Sequence, residues 1–263
     1  MIEAGSLIRS LSGRPAARNF HTFVINEIGH GIVTGRFPIG SILASDAVMM
    51  ESYGVSRTVL REALKTLEAK GMIEARPKVG TRVSPASRWN FFDPQVLSWH
   101  FYAKPDARFF ESLFEVRRSL ETQAAQLASV RRTAEQVRLM KYWLHQMELA
   151  GDGVEALGLS SLEIHRVMAE SSGNRLLRSV IGIVELTLAL ALKSLDGAAL
   201  AQYSDGAYGA HANLVRGIEG GNAASAQAAI EQAIALDAAR AMTLLGRETR
   251  GVTIAGGGEP RRS

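Results

Sequence analysis

Residues 54–83 pair a short, capped, amphipathic helix with a basic-tipped hairpin, and few folds accommodate both in thirty residues. The Ser56 hydroxyl is placed to cap the helix N-terminus, and Gly71 to take the left-handed position just past its end. Leu60, Ala63, Leu64 and Leu67 recur at helical spacing and form one apolar stripe. Arg57, Arg61 and Lys65, each four residues from the next, form a basic stripe beside it. Two short strands follow, Met72–Ala75 and Thr81–Val83, with turn residues and two positive charges in the tip Arg76-Pro77-Lys78-Val79-Gly80. A winged helix-turn-helix needs this combination: the helix enters a major groove and the wing reaches the neighbouring backbone or minor groove.

An ordinary solvated basic face is the alternative reading, and the distribution of charge argues against it. Residues 1–84 hold 11 Lys and Arg against 7 Asp and Glu, whereas residues 85–263 hold 19 of each. The whole net charge of +4 therefore lies in the first third of the chain. A polyanion-binding module joined to a neutral one accounts for that split.

The 263 residues suffice for two domains of ordinary size, and 46% hydrophobic with 21% charged residues is a soluble, globular composition. With no cysteine, disulfides and thiolate metal sites are excluded, which fits a reducing, cytoplasmic location. No uninterrupted apolar core of a signal peptide opens the chain. The most apolar run, Val180–Leu192, contains Glu185 and falls short of the roughly 20 residues a membrane span requires, so it reads as the central helix of a bundle.

In order along the chain, residues 1–18 lack periodicity and read as a mobile arm. Residues 19–84 hold a helix over 19–34, a second over 46–53 capped by Ser45, the helix after Gly54 and the wing. Residues 85–105 form a connector in which Trp89, Phe91, Phe92 and Trp99 are expected to pin the first domain onto the next by aromatic burial. Helices are expected over 106–130, 133–150, 154–171, 174–195, 203–220 and 222–246, giving an all-α antiparallel bundle across 106–250. Residues 251–263 read as a disordered tail.

The pattern Gly35, Ile39-Gly40, Leu43-Ala44-Ser45-Asp46, Gly54-Val55-Ser56-Arg57, Leu60-Arg61-Glu62-Ala63-Leu64, Leu67, Gly71-Met72-Ile73 and Gly80-Thr81-Arg82-Val83 resembles the DNA-binding domain of GntR-family transcriptional regulators. The resemblance covers about residues 20–84. It departs at Ala44, where the family usually has Pro, and at Ala47, often an Arg. It implies that Arg57 and Arg61 contact operator bases or phosphates, that Ser56 and Thr58 touch phosphates, and that Arg76 and Lys78 serve the wing. Double-stranded DNA is the implied partner. A guanidinium pairs bidentately with guanine, which suits arginine to base reading.

The second half resembles the ligand-sensing domain of the FadR-type branch, called FCD. The residues that carry this are Glu115-Val116-Arg117, Leu120-Glu121, Ala124-Ala125, Leu127-Ala128, Ile164-His165, Ser172-Gly173-Asn174, Leu176-Leu177, His211 and Gly221-Asn222. Trp89–Trp99 and Glu115–Glu121 further resemble regulators of galactonate and related sugar-acid catabolism. Many FCD domains hold a divalent metal through an Asp, a His four residues later, and two further His. Here His165 and His211 stand at their positions, but Ser161 replaces the Asp and Ala233 the last His. Zinc normally takes three or four protein ligands, so His165 and His211 are an incomplete set unless Asp237 or an effector carboxylate completes it. The resemblance also places Arg117 in the pocket, where its fork suits a carboxylate, against a surface ion pair with Glu121 as the plain alternative.

The expectation is a mostly α protein: a metabolite-responsive DNA-binding regulator, a repressor of an organic-acid operon. It binds a palindromic operator as a homodimer, and Arg117, His165 and His211 receive a small anionic sugar acid or hydroxy acid. The alternatives are a constitutive DNA-binding regulator without effector and an enzyme with a His-based site. No nucleophile–base pairing, phosphate loop or paired-carboxylate motif supports the enzyme.

Overall fold

The computed structural model describes residues 5–11, 20–104 and 106–255, without the side chains of 247–255. It divides into two compact units. One contains residues 20–104; the other contains residues 5–11 together with 106–255.

A short helix, α1 (Ser6–Ser10), belongs to the second unit. Its Ile8 is fully buried and the Leu7 N–H meets the Glu185 carboxylate, so residues 5–11 are a docked element, contrary to the mobile arm expected there. Residues 1–4 and 12–18 of that expectation lie outside the described residues.

The first unit is built on α2 (Phe20–Val33), α3 (Asp46–Tyr53) and α4 (Arg57–Ala69). Ser45 and Ser56 each cap their helix with the side-chain oxygen, as their positions predicted. Gly71 takes φ 76°, and the Met72 N–H returns to the Leu67 carbonyl, closing α4. The wing pairs β1 (Ile73–Arg76) with β2 (Gly80–Val83) in antiparallel register, Ile73 opposite Val83 and Arg76 opposite Gly80. Lys78, in the three-residue turn between them, has φ 63°, the left-handed conformation such hairpin turns use. Leu60, Ala63 and Leu67 of α4 join Val24, Ile28 and Ile32 of α2 in the core, with Leu64 half-buried against it.

The aromatic segment corrects the expected connector. Helix α5 (Pro94–Tyr102), capped by Asp93, packs Val96 and Trp99 into the core of the first unit itself, with Trp89 and Phe91 half-buried beside them. The Trp99 indole N–H donates to Asn26 Oδ1 at 3.1 Å and the Trp89 N–H to the Ser84 carbonyl at 3.1 Å. Lys70 and Asp93 form a half-buried ion pair at 2.5 Å. These residues thicken one domain. Gly29 permits it, because a Cβ there would lie 2.4 Å from the Trp99 ring.

The second unit contains α6 (Ala107–Arg131), α7 (Ala134–Glu148), α8 (Val154–Ser171), α9 (Ile181–Leu192), α10 (Gly197–Glu219) and α11 (Ala223–Ala255). Three of the six expected helices agree closely. The one expected over 174–195 begins as a 3-10 turn at Leu177–Val180 before α9, which is buried all round from Gly182 to Leu192. Helix α10 starts at Gly197 rather than near 203, because Ala198, Ala199 and Ala201 favour helix. Helix α11 runs through the first five residues of the expected tail; residues 256–263 lie outside the described residues. Among the described residues no helix is long and apolar enough to cross a membrane.

Gly29→Ala is expected to destabilise the first unit by about 1–3 kcal/mol, since the rigid Trp99 ring must be displaced. Urea unfolding followed by tryptophan fluorescence measures this.

Candidate functional site

Two sets of residues stand out, one on the exposed face of α4 in the first unit and one in the interior of the second. On α4 the side buried against α2 leaves the opposite side to solvent, and Arg57, Thr58, Arg61 and Lys65 are all exposed there. Ser56 begins this face as the N-cap. Arg61 lies 3.7 Å from Asp46 of α3 and is 59% exposed, too loose and too wet a pair to immobilise it. At the wing, Lys78 and Arg76 are exposed, with Arg76 Nη2 2.7 Å from Glu74. Arg88 also meets Glu74, at 2.6 Å, and the two arginines hold that carboxyl below its ordinary range. A capped helix with an exposed basic edge, next to a hairpin with a basic tip, is the shape and charge that the phosphate backbone of DNA selects.

The interior set centres on Arg117 of α6, which is fully buried. Its Nε donates to Glu121 Oε2 at 2.6 Å, and its Nη1 donates to Asp237 Oδ2 of α11 at 2.6 Å and to Thr187 Oγ1 of α9 at 3.1 Å. Nη2 stands 3.3 Å from His165 Nε2 of α8. The other ring nitrogen of His165, Nδ1, donates to Glu121 Oε1 at 2.5 Å. His211 of α10 donates from Nδ1 to the Ala207 carbonyl at 2.7 Å, which leaves its Nε2 to accept from the Ser161 hydroxyl at 3.0 Å. The two Nε2 atoms are 3.2 Å apart. Tyr203 of α10 donates to Asp237 Oδ1 at 2.5 Å. Five helices thus contribute side chains to one polar cluster.

The electrostatics follow from this geometry. Burial works against the charge on Glu121, but the His165 imidazole and the Arg117 guanidinium outweigh it and hold the carboxyl at about 2. Burial likewise opposes the Arg117 charge, and Glu121 and Asp237 outweigh it. Burial, reinforced by His165 and Arg117, pushes His211 down to about 3, so it is neutral at ordinary pH. Burial and Asp237 raise the Tyr203 phenol, which stays protonated and able to donate.

Arg117, His165 and His211, predicted as one pocket, are brought together. The state of Arg117 is a correction. Its partner is Glu121, the plain alternative, but the pair is buried rather than at the surface, and Asp237 fills a second arm of the fork. Thr187 and Tyr203 were missed. Thr187 was detectable, because a polar residue beside Glu185 in the apolar run Val180–Leu192 needs a buried partner. Tyr203 carried no comparable signal.

The residues present do not fit a metal. Among the described residues no group of three or more His, Cys, Asp or Glu side chains is placed to hold one. Ala233 offers only a methyl, and Asp237 is committed to Arg117 and Tyr203. The Arg117 guanidinium faces the Nε2 atom of His165 that a metal would use.

A family model described as bacterial regulatory proteins, gntR family, matches residues 21–83, and one for the FCD domain matches residues 112–236. The HTH-type transcriptional regulator YieP of Escherichia coli K12 is 40% identical over 121 residues, 46% of this chain and 53% of YieP, so the chain spans about half of that relative's length. The galactonate operon transcriptional repressor of the same organism is 29% identical over 175 residues, 66% of this chain and 73% of the repressor. Among solved structures, Lar of Listeria monocytogenes shares the fold with a TM-score of 0.62 at 16% identity, covering 88% of this chain and all of Lar.

Removing one member of a buried ion cluster strands the others. Arg117→Leu is expected to destabilise the bundle by about 3–5 kcal/mol, in contrast to the mild effect a free pocket arginine would have. Thermal and urea unfolding of the full chain measure it.

Proposed function

Because the chain belongs to the GntR family of bacterial regulatory proteins and carries an FCD domain, we propose that it is a metabolite-responsive repressor of an organic-acid catabolic operon. Its family consists of transcriptional regulators, not enzymes. In this reading it binds a palindromic operator as a homodimer, with one α4 in each half-site, since two-fold operators mirror two-fold proteins. Ser56, Arg57, Thr58 and Arg61 meet bases and phosphates, and Arg76 and Lys78 meet the flanking backbone. The observation that carries this part is the exposed basic edge of a helix whose other side is locked in the core.

The effector seat in this reading is the Arg117 cluster. Both carboxylates on the guanidinium come from the protein, so an acidic effector enters by exchange. Its carboxylate takes the arm of Arg117 that Asp237 holds, and its hydroxyls meet Ser161, Thr187 and the His211 Nε2 acceptor. Asp237 lies on α11 and bonds Tyr203 on α10. Displacing it therefore loosens the α10–α11 pair, which turns occupancy into a shift between two states of the bundle. A galactonate-type sugar acid, with one carboxylate and several hydroxyls, has the required groups, and similarity to the galactonate operon repressor supports that class. One observation favours a second reading, a constitutive regulator: the donors of Arg117 are already matched by protein acceptors.

Two experiments follow, the first testing the DNA-binding face and the second separating the two readings. Arg61→Ala is expected to weaken binding to a duplex selected from a random library by about 1–3 kcal/mol, read by fluorescence anisotropy at fixed salt. Asp237→Ala opens the arm of Arg117, and acetate or formate is expected to restore several degrees of the lost melting temperature, whereas chloride at equal ionic strength does not. Equal effects of acetate and chloride would favour the constitutive reading.

A further inference from the structure

Helix α1 precedes the DNA-binding unit in sequence yet folds with the sensing bundle. Its seat is built for it. Leu7 and Ile8 are buried against α8 and α9, Ile8 completely. Glu185 of α9, itself buried, accepts the Leu7 N–H at 2.7 Å and faces the N–H groups of Gly5 and Ile8. In the second turn of α8 stands Gly158, a weak helix former whose presence has a steric cause: a Cβ there would lie 2.8 Å from the Ile8 side chain and 2.6 Å from Leu192. Gly5, at φ 87°, starts the helix where a Cβ would strike Leu159 at 2.8 Å.

The helix that holds α1 also serves the Arg117 cluster. On α9, Glu185 grips α1, and Thr187, two residues on and so on another face of the helix, accepts from Arg117 Nη1 at 3.1 Å. Helix α9 is buried throughout, so displacement on one face is transmitted to the other rather than absorbed by solvent. The eight residues 12–19 join α1 to α2 and span at most about 30 Å. The DNA-binding unit is therefore tethered to the bundle at both ends of its sequence, through residues 12–19 and through the chain between Tyr102 and Ala107.

Resting on the reading of the Arg117 cluster as the effector seat, we infer that α1 is a strap through which the bundle restrains its DNA-binding unit, held by Glu185 and Gly158 and coupled to the cluster through α9. Two short tethers narrow the orientations that the unit explores, which lowers the entropic cost of aligning both recognition helices with an operator. Release of α1 leaves one tether and widens that range.

The test uses the full-length chain without any effector, so it remains readable if the effector seat is wrong. Ile8→Asp and, separately, deletion of residues 2–11 are compared with wild type. Amide hydrogen exchange at Leu7 reports docking in Ile8→Asp, and anisotropy with the selected duplex reports operator affinity for both variants. Wild type is expected to protect the Leu7 amide. Ile8→Asp is expected to lose that protection, and both variants to bind the duplex about three- to tenfold more weakly, with the melting of the DNA-binding unit unchanged. The deletion variant decides the outcome if Ile8→Asp does not fold. Thr187→Val is expected to speed Leu7 exchange about fivefold through α9. Affinity within twofold of wild type in a variant whose α1 is undocked or absent overturns the strap, as does a wild-type Leu7 amide that exchanges like free peptide. Unchanged Leu7 exchange in Thr187→Val overturns the coupling to the cluster.

Discussion

A guanidinium taken entirely out of water dictates how the bundle is put together. Arg117 can be buried only if its donors are met by acceptors held at short range, and those acceptors come from α6, α9 and α11, with His165 of α8 against the remaining arm. Tyr203 and His211 bring α10 to the same place by bonding Asp237 and by standing against His165. Apolar packing alone would allow these helices to slide and rotate by fractions of a turn. A polar cluster with fixed hydrogen-bond lengths does not, so it specifies one register among many of similar apolar burial.

The same cluster explains how the bundle can lack a metal set without losing its organisation. Where a divalent ion would gather side chains from several helices, a protein cation does so here, and Ser161 and Ala233 stand where a carboxylate and an imidazole would otherwise be required. The cation is permanently charged and covalently fixed. In the DNA-binding unit the organising interaction is of the opposite kind. An apolar face of α4 locked against α2 leaves the basic edge rigid and exposed, and the Trp99 ring laid over Gly29 extends that core into α5.

Much of this was legible from local signals. Ser45, Ser56, Gly54 and Gly71 mark helix ends by chemistry that acts within four residues, and the helices of the first unit fall where those marks place them. The pairing of Arg117, His165 and His211 was legible only through the family pattern, because residues 48 and 46 positions apart have no local means of declaring contact. Two expectations failed for one reason. Residues 5–11 of the expected arm were read from absent periodicity and the 85–105 connector from its clustered aromatics, whereas each holds a short helix whose stability comes from a prepared seat on distant elements: Gly158 and Glu185 for α1, and Gly29 and Asn26 for α5.

By itself the sequence determined the winged helix-turn-helix, the six-helix bundle, the concentration of net positive charge in the first third, and the residues that face solvent on α4. These follow from periodicity, capping and composition, which are local or additive. Only the tertiary structure decided that Arg117 is already held by Glu121 and Asp237, that Thr187 and Tyr203 belong to its site, and that α1 folds with the bundle. Burial of a charge is a property of the whole packing, and which acceptors satisfy it depends on helices that meet only when the chain is folded.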